Sequence, residues 1–115
     1  MASKLIIHNQ SRTHDYRVVL DGTDAGDVFP LRSIAIDVPP GEHQLSFREV
    51  GENDLPTACK PIHMTIEDEK TLELSVSTKH FSIQIHDRQD TLLNGRHGFL
   101  CGRICDGVRI DNTIT

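Results

Sequence analysis

Apolar and polar residues alternate one for one through most of this chain, and that period of two decides what it can fold into. In "SIAIDV", Ile34, Ile36 and Val38 alternate with Ser33, Ala35 and Asp37. "HQLSFRE" sets Leu45 and Phe47 against Gln44, Ser46 and Arg48. "PIHMTIE", "TLELSVS" and "HFSIQIH" repeat the pattern with Ile62, Met64 and Ile66, then Leu72, Leu74 and Val76, then Phe81, Ile83 and Ile85. Successive side chains of a strand point to opposite faces, so each segment predicts a strand with one buried and one wet face. "LIIHN" and "YRVVLD" add two strands near the start, and no window carries a helical period.

Short strands with a single apolar face need a second sheet to cover them. The expected fold is therefore all-β: an antiparallel β-sandwich, immunoglobulin-like or prealbumin-like, of about seven to nine strands. Turn residues fall where this fold needs them. Asp21-Gly22 ends "YRVVL", and Pro40-Gly41 suits the centre of a type II turn. "GENDLPT" (51–57) reads as a loop at a hairpin tip, "EDEK" (67–70) links two strands, and the buried parity changes around Ser77–Lys79. From Arg88 the alternation fades, but Asn94-Gly95 and Asp106-Gly107 are the preferred pairs for two-residue hairpin turns. Residues 1–87 are thus expected to form the sandwich core. Residues 88–115, with their glycines and cysteines, are expected to pack on it as a β-meander, the alternative being an arm that orders on a partner.

A chain of 115 residues suits one domain with a core that needs no staples. Its net charge of −5 argues against nucleic acid as a partner, because such binders concentrate Lys and Arg. The apolar run Leu5–Ile7 falls far short of the roughly 7–15 residues of a signal peptide or the about 20 of a membrane span. Three cysteines make no closed disulfide framework. The expectation is a soluble, cytoplasmic protein with reduced thiols and no membrane insertion.

Three sets of residues invite a chemical reading. In "DGTDAGDVFPLR", Asp21, Asp24 and Asp27 suggest a calcium loop, and Gly26 even takes the sixth position. Ala25 at the fifth and Arg32 at the twelfth offer no suitable ligand, so a turn is the better reading. His97, Cys101 and Cys105 recur every four residues. On a strand that spacing spans about 13 Å, too far for one zinc ion unless a bulge shortens it and Cys59 contributes. His80 and His86 lie roughly 20 Å apart on one strand, and His63 approaches them only if its strand is a neighbour. No nucleophile elbow, phosphate-binding glycine loop or His-Glu-x-x-His is present.

The run from Tyr16 to Val50 resembles PEGA-type and related small bacterial β-sandwich domains. Their repeat reads strand, Asp-Gly, short insert, Gly, strand, then Pro-Gly-x-His before another strand. Asp21, Gly22, Gly26, Pro40, Gly41 and His43 match it, followed by Leu45 and Phe47, although no literal Pro-Glu-Gly-Ala occurs. The later strands fit the same plan, so the resemblance covers roughly residues 16–77. It implies a non-catalytic accessory or adhesive module.

The sequence therefore predicts a non-catalytic binding or scaffolding module without a cofactor. Its partner is expected to be a protein or a second copy, engaged through a sheet edge or the C-terminal segment. A zinc-binding or redox-sensitive protein using Cys59, Cys101, Cys105 and His97 is the alternative, and a small hydrolase without a recognisable motif is the third reading.

Overall fold

A computed structural model describes residues 3–50, 58–79, 81–94, 103–105 and 108–111. These residues are strands and their connections, with no helix among them and hence none long and apolar enough to cross a membrane. The strands are β1 (Ser3–Asn9), β2 (Asp15–Leu20), β3 (Thr23–Val28), β4 (Ser33–Val38), β5 (Gly41–Val50) and β6 (Ala58–Cys59). They continue with β7 (Ile62–Ile66), β8 (Thr71–Lys79), β9 (Ser82–His86), β10 (Arg103–Cys105) and β11 (Val108–Asp111). Two sheets result, one in the order β4-β1-β8-β9-β6 and the other β10-β11-β7-β5-β2-β3.

The alternation places the core as expected. Leu5 and Ile7 of β1, Leu72, Leu74 and Val76 of β8, and Ile83 and Ile85 of β9 are buried from one sheet. Tyr16, Val18, Leu45, Phe47, Ile62, Met64 and Ile66 meet them from the other. Leu93, Val108 and Ile110 join the same cluster, so parts of the C-terminal segment contribute to this core.

The pairing differs from the expected all-antiparallel plan. β1 lies between β4, antiparallel to it, and β8, parallel to it, and β6 runs parallel to β9. The cause is the way the chain changes layers. At Pro39-Pro40-Gly41 it leaves the five-stranded sheet for the other, it visits the first sheet again in β6, and at residues 67–70 it returns from β7 to lie beside β1 as β8. Gly41, at φ 127, takes a backbone angle open to glycine but strained for other residues. Eleven strands appear among the described residues where seven to nine were expected. Ala58–Cys59 and Arg103–Cys105 are too short for any alternation to reveal.

Turn chemistry is met at Asp21-Gly22, where φ values of 53 and 80 and the pairing of Leu20 with Thr23 make a two-residue hairpin loop. Elsewhere one expectation fails. β8 continues through Lys79, which moves the turn past Ser77–Lys79 and leaves Phe81 exposed on it, not buried in β9. Asn94 is the last described residue before the expected turn at Gly95. Its side chain is buried, accepting the Ile85 N–H and donating to the carbonyls of Lys60 and Ile83. The expected loop 51–57 and the turns at Gly95 and Asp106-Gly107 lie outside the described residues.

Candidate functional site

The β2–β3 turn and the start of β5 meet at one end of the molecule, and there the chain makes its most elaborate polar contact. The tight turn fixes Asp21, whose Oδ1 accepts the Gln44 N–H at 2.8 Å while its own N–H donates to the Gln44 carbonyl at 2.8 Å. Its Oδ2 lies 2.6 Å from His43 Nδ1, and His43 Nε2 lies 2.7 Å from the carbonyl of Pro39. A carboxylate and a carbonyl offer only lone pairs, so both ring nitrogens must donate, and that arrangement requires imidazolium. Burial opposes the charge, but the bonds to Asp21 and Pro39 outweigh it and hold His43 above its ordinary value. The His43 bond first, then the Gln44 N–H, hold Asp21 below the usual carboxylate range.

Glu42, His63 and Thr65 extend this contact into an open depression of about 320 Å³ that Asp21 and His43 also line. Its chemistry is limited. An imidazole donating from both nitrogens has no lone pair with which to take a proton or bind a metal. The arrangement ties the β2–β3 turn to the β4–β5 crossing.

The other two carboxylates of the calcium-like loop face away from Asp21. Asp27 accepts from Arg17 Nε at 2.8 Å and Nη2 at 3.3 Å. Asp24 lies between Arg17 and Arg48, at 3.8 and 3.7 Å. Each acid thus faces a cation or histidine, Arg17 being shared by Asp24 and Asp27.

On the outer face of the five-stranded sheet, His8, Glu73, Ser75 and Arg88 line a second depression, of about 270 Å³. His8 reaches Ser33 Oγ at 2.5 Å and Glu73 at 3.6 Å, and Arg88 sits 3.3 Å from the other Glu73 oxygen. Register places His8 opposite Ser75 and Ser75 opposite His86, so one serine separates the two histidines. His63, on β7, belongs to the other sheet and is no neighbour of His86.

Among the residues proposed for zinc, Cys59 lies on edge strand β6 and the backbone of Cys105 on edge strand β10 of the other sheet. His97, Cys101 and the surroundings of the Cys105 side chain lie outside the described residues, as does His80. Among those described, no three His, Cys, Asp or Glu side chains gather as a metal site would require. Burial pushes the Cys59 thiol up, and it accepts the Phe47 N–H at 3.4 Å and donates to the Lys60 carbonyl at 3.7 Å.

Sequence reasoning weighed Asp21 for calcium, preferred a turn, and passed over His43 as a chemical group. Pro-Gly-x-His was the available signal, but nothing local pairs residues 22 positions apart. No family model, curated protein or solved structure matches the chain.

Proposed function

We propose that this protein is a non-catalytic binding module that adds a strand, in the simplest case from a second copy of itself, along the open edge of β4. The observation that carries the reading is the character of that edge. Among the described residues β4 pairs with β1 on one side only, over six residues without a bulge. Asn9 donates to the Arg32 carbonyl at 2.9 Å, and this sets the phase of the ladder. Ser33, Ala35 and Asp37 therefore point their N–H and C=O groups away from β1, toward the open side. Such a row is a template for another strand.

The other edges are blunted. β3 pairs across a bulge at Val18/Val19 and its acids are engaged by arginines, while β6 and β10 have two and three residues. β4 has no Pro, Gly or Lys, and its one charge is Asp37. An antiparallel copy centred on Ala35 sets Ser33 opposite Asp37, so the acids avoid each other and the two-fold contact closes.

Ala35→Pro tests the reading. Its N–H takes no part in the β1 ladder, so proline removes only the outward donor. Light scattering is expected to find a concentration-dependent dimer for the native chain and a folded monomer for Ala35→Pro. Identical behaviour of the two, and identical capture of strand-forming peptides, would remove the edge from consideration.

The immunoglobulin-like or prealbumin-like class is part of the same proposal and is supported by the two-layer core. The PEGA-type relationship rests on the sequence pattern of Asp21, Gly22, Gly26, Pro40, Gly41 and His43. Cytoplasmic residence belongs to the proposal as the sequence reading of three reduced thiols.

A further inference from the structure

Register assigns six described connections to one end of the molecule or the other. β1 and β8 run in parallel, with Asn9 beside Val76, and β2, β4 and β9 run the opposite way. Tyr16, early in β2, reaches Thr78, late in β8, which aligns the two sheets end to end. The β1–β2 loop, the β3–β4 loop and the β8–β9 turn therefore share one end. The β2–β3 turn, the β4–β5 crossing and the β7–β8 turn share the other.

The two ends differ sharply in character. Three large apolar side chains stand out as exposed among the described residues: Phe29 at 58%, Leu31 at 64% and Phe81 at 69%. All three belong to the first end, on two separate loops. β4 and the β8–β9 turn lie two to three strand spacings apart, about 12 Å. Leu31 and Phe81 hold φ values of 57 and 61, a region costly for bulky side chains. Exposed Arg12, Arg32 and Lys79 stand beside them on the same three connections. Of the carboxylates there, Glu49 is bonded by Thr78 and faces His14, leaving Asp15. Residues 51–57, with Glu52 and Asp54, are outside the described set. At the opposite end Asp21, Asp37, Glu42, Glu67, Asp68 and Glu69 are all exposed, although the chain as a whole carries −5.

We infer that the end bearing Phe29, Leu31 and Phe81 docks on an anionic phospholipid surface. Its apolar tips enter the interfacial layer, and Arg12, Arg32 and Lys79 meet the headgroups. Apolar groups on separate projecting loops, with cations between them, match a plane that is deformable and negatively charged. The acidic end is then held away from the membrane, so the charge asymmetry orients the molecule. Contact is interfacial and needs no spanning segment.

The test is co-sedimentation of the full chain with vesicles of equal parts phosphatidylcholine and phosphatidylserine, and with vesicles of phosphatidylcholine alone. Phe29→Ser/Leu31→Asn/Phe81→Asn removes the tips, and asparagine accepts positive φ at the two strained positions. Arg12→Gln/Arg32→Gln/Lys79→Gln removes the cations. Native protein is expected on the mixed vesicles, with each variant weakened at least about tenfold and the tip variant melting no lower than native. Failure of native protein to bind, equal binding to both vesicle types, or undiminished binding by the tip variant would overturn the inference. So would a protein that ignores vesicles but dimerises through these tips, becoming monomeric in the tip variant.

Discussion

Asp21 and His43 hold each other across 22 residues of chain, with His43 Nδ1 2.6 Å from Asp21 Oδ2. Because the second ring nitrogen faces the Pro39 carbonyl, the contact is an ion pair and its strength depends on pH. A histidine raised above 6.5 contributes stability that is complete at lower pH and is lost as pH rises through the raised value. A carboxylate lowered below 3.8 contributes stability that is complete above that value and is lost as pH falls through the lowered one. The clamp is therefore at full strength between 3.8 and 6.5 and weakens as pH rises from 6.5 through the raised histidine value. Urea unfolding of native protein and His43→Gln is expected to show the largest difference near the middle of that window and a smaller one in mild alkali. A difference independent of pH would mean that the pair is uncharged.

A second polar link joins the two sheets through their core. Tyr16 of β2 is fully buried, and its hydroxyl lies 2.5 Å from Thr78 Oγ1 of β8. Thr78 donates to Glu49 of β5 at 2.6 Å, so its own oxygen accepts from the tyrosine. Burial first, then Glu49, keeps Tyr16 protonated past its usual range against the Thr78 bond. Tyr16→Phe removes one donor and is expected to cost about 1 kcal/mol. Thr78→Val takes away an acceptor of the Tyr16 hydroxyl and one donor to Glu49, and should cost about 1–3 kcal/mol. A double-mutant cycle by denaturant unfolding checks this: coupling near zero would dissolve the network.

The faces of the longer alternating strands were legible in the sequence because alternation reports burial directly; Leu72, Leu74 and Val76 are buried as read. Strand neighbours were not, since a period of two is the same whichever strand lies alongside. Nothing in "LIIHN" says that β1 is to lie between β4 and β8. Phe81 fits the parity of Ile83 and Ile85, yet sits on the turn, because parity cannot say where a hairpin reverses. Asp21-Gly22 was legible because that turn depends on two adjacent residues. The bond from Asp21 to His43 was not, because it depends on how two connections meet.

Asn94 carries a prediction about the C-terminal segment. Its amide makes three bonds, to the N–H of Ile85 and to the carbonyls of Lys60 and Ile83, beside the buried Leu93. Asn94→Ala leaves these backbone groups without their partner and is expected to destabilise by about 1–3 kcal/mol. Hydrogen exchange should show the loss at the Ile85 amide first. Unchanged protection there would mean that solvent satisfies the group and that Asn94 is no bracket.

Cys59 provides the check on the zinc and redox alternative. A nucleophilic or metal-binding cysteine works as thiolate, and burial here favours the protonated thiol, above the ordinary value of 9.0. Because the folded state holds this proton more tightly, Cys59 adds stability below that value and the contribution fades as pH rises through it. Labelling with a thiol reagent at neutral pH, read residue by residue by mass spectrometry, is expected to find Cys59 slow in the native protein. In urea its rate should rise to that of an unstructured cysteine. Added zinc should leave native Cys59 labelling unchanged. Fast native labelling, or protection that depends on zinc, would show a thiolate where the packing around Phe47 and Lys60 calls for a thiol.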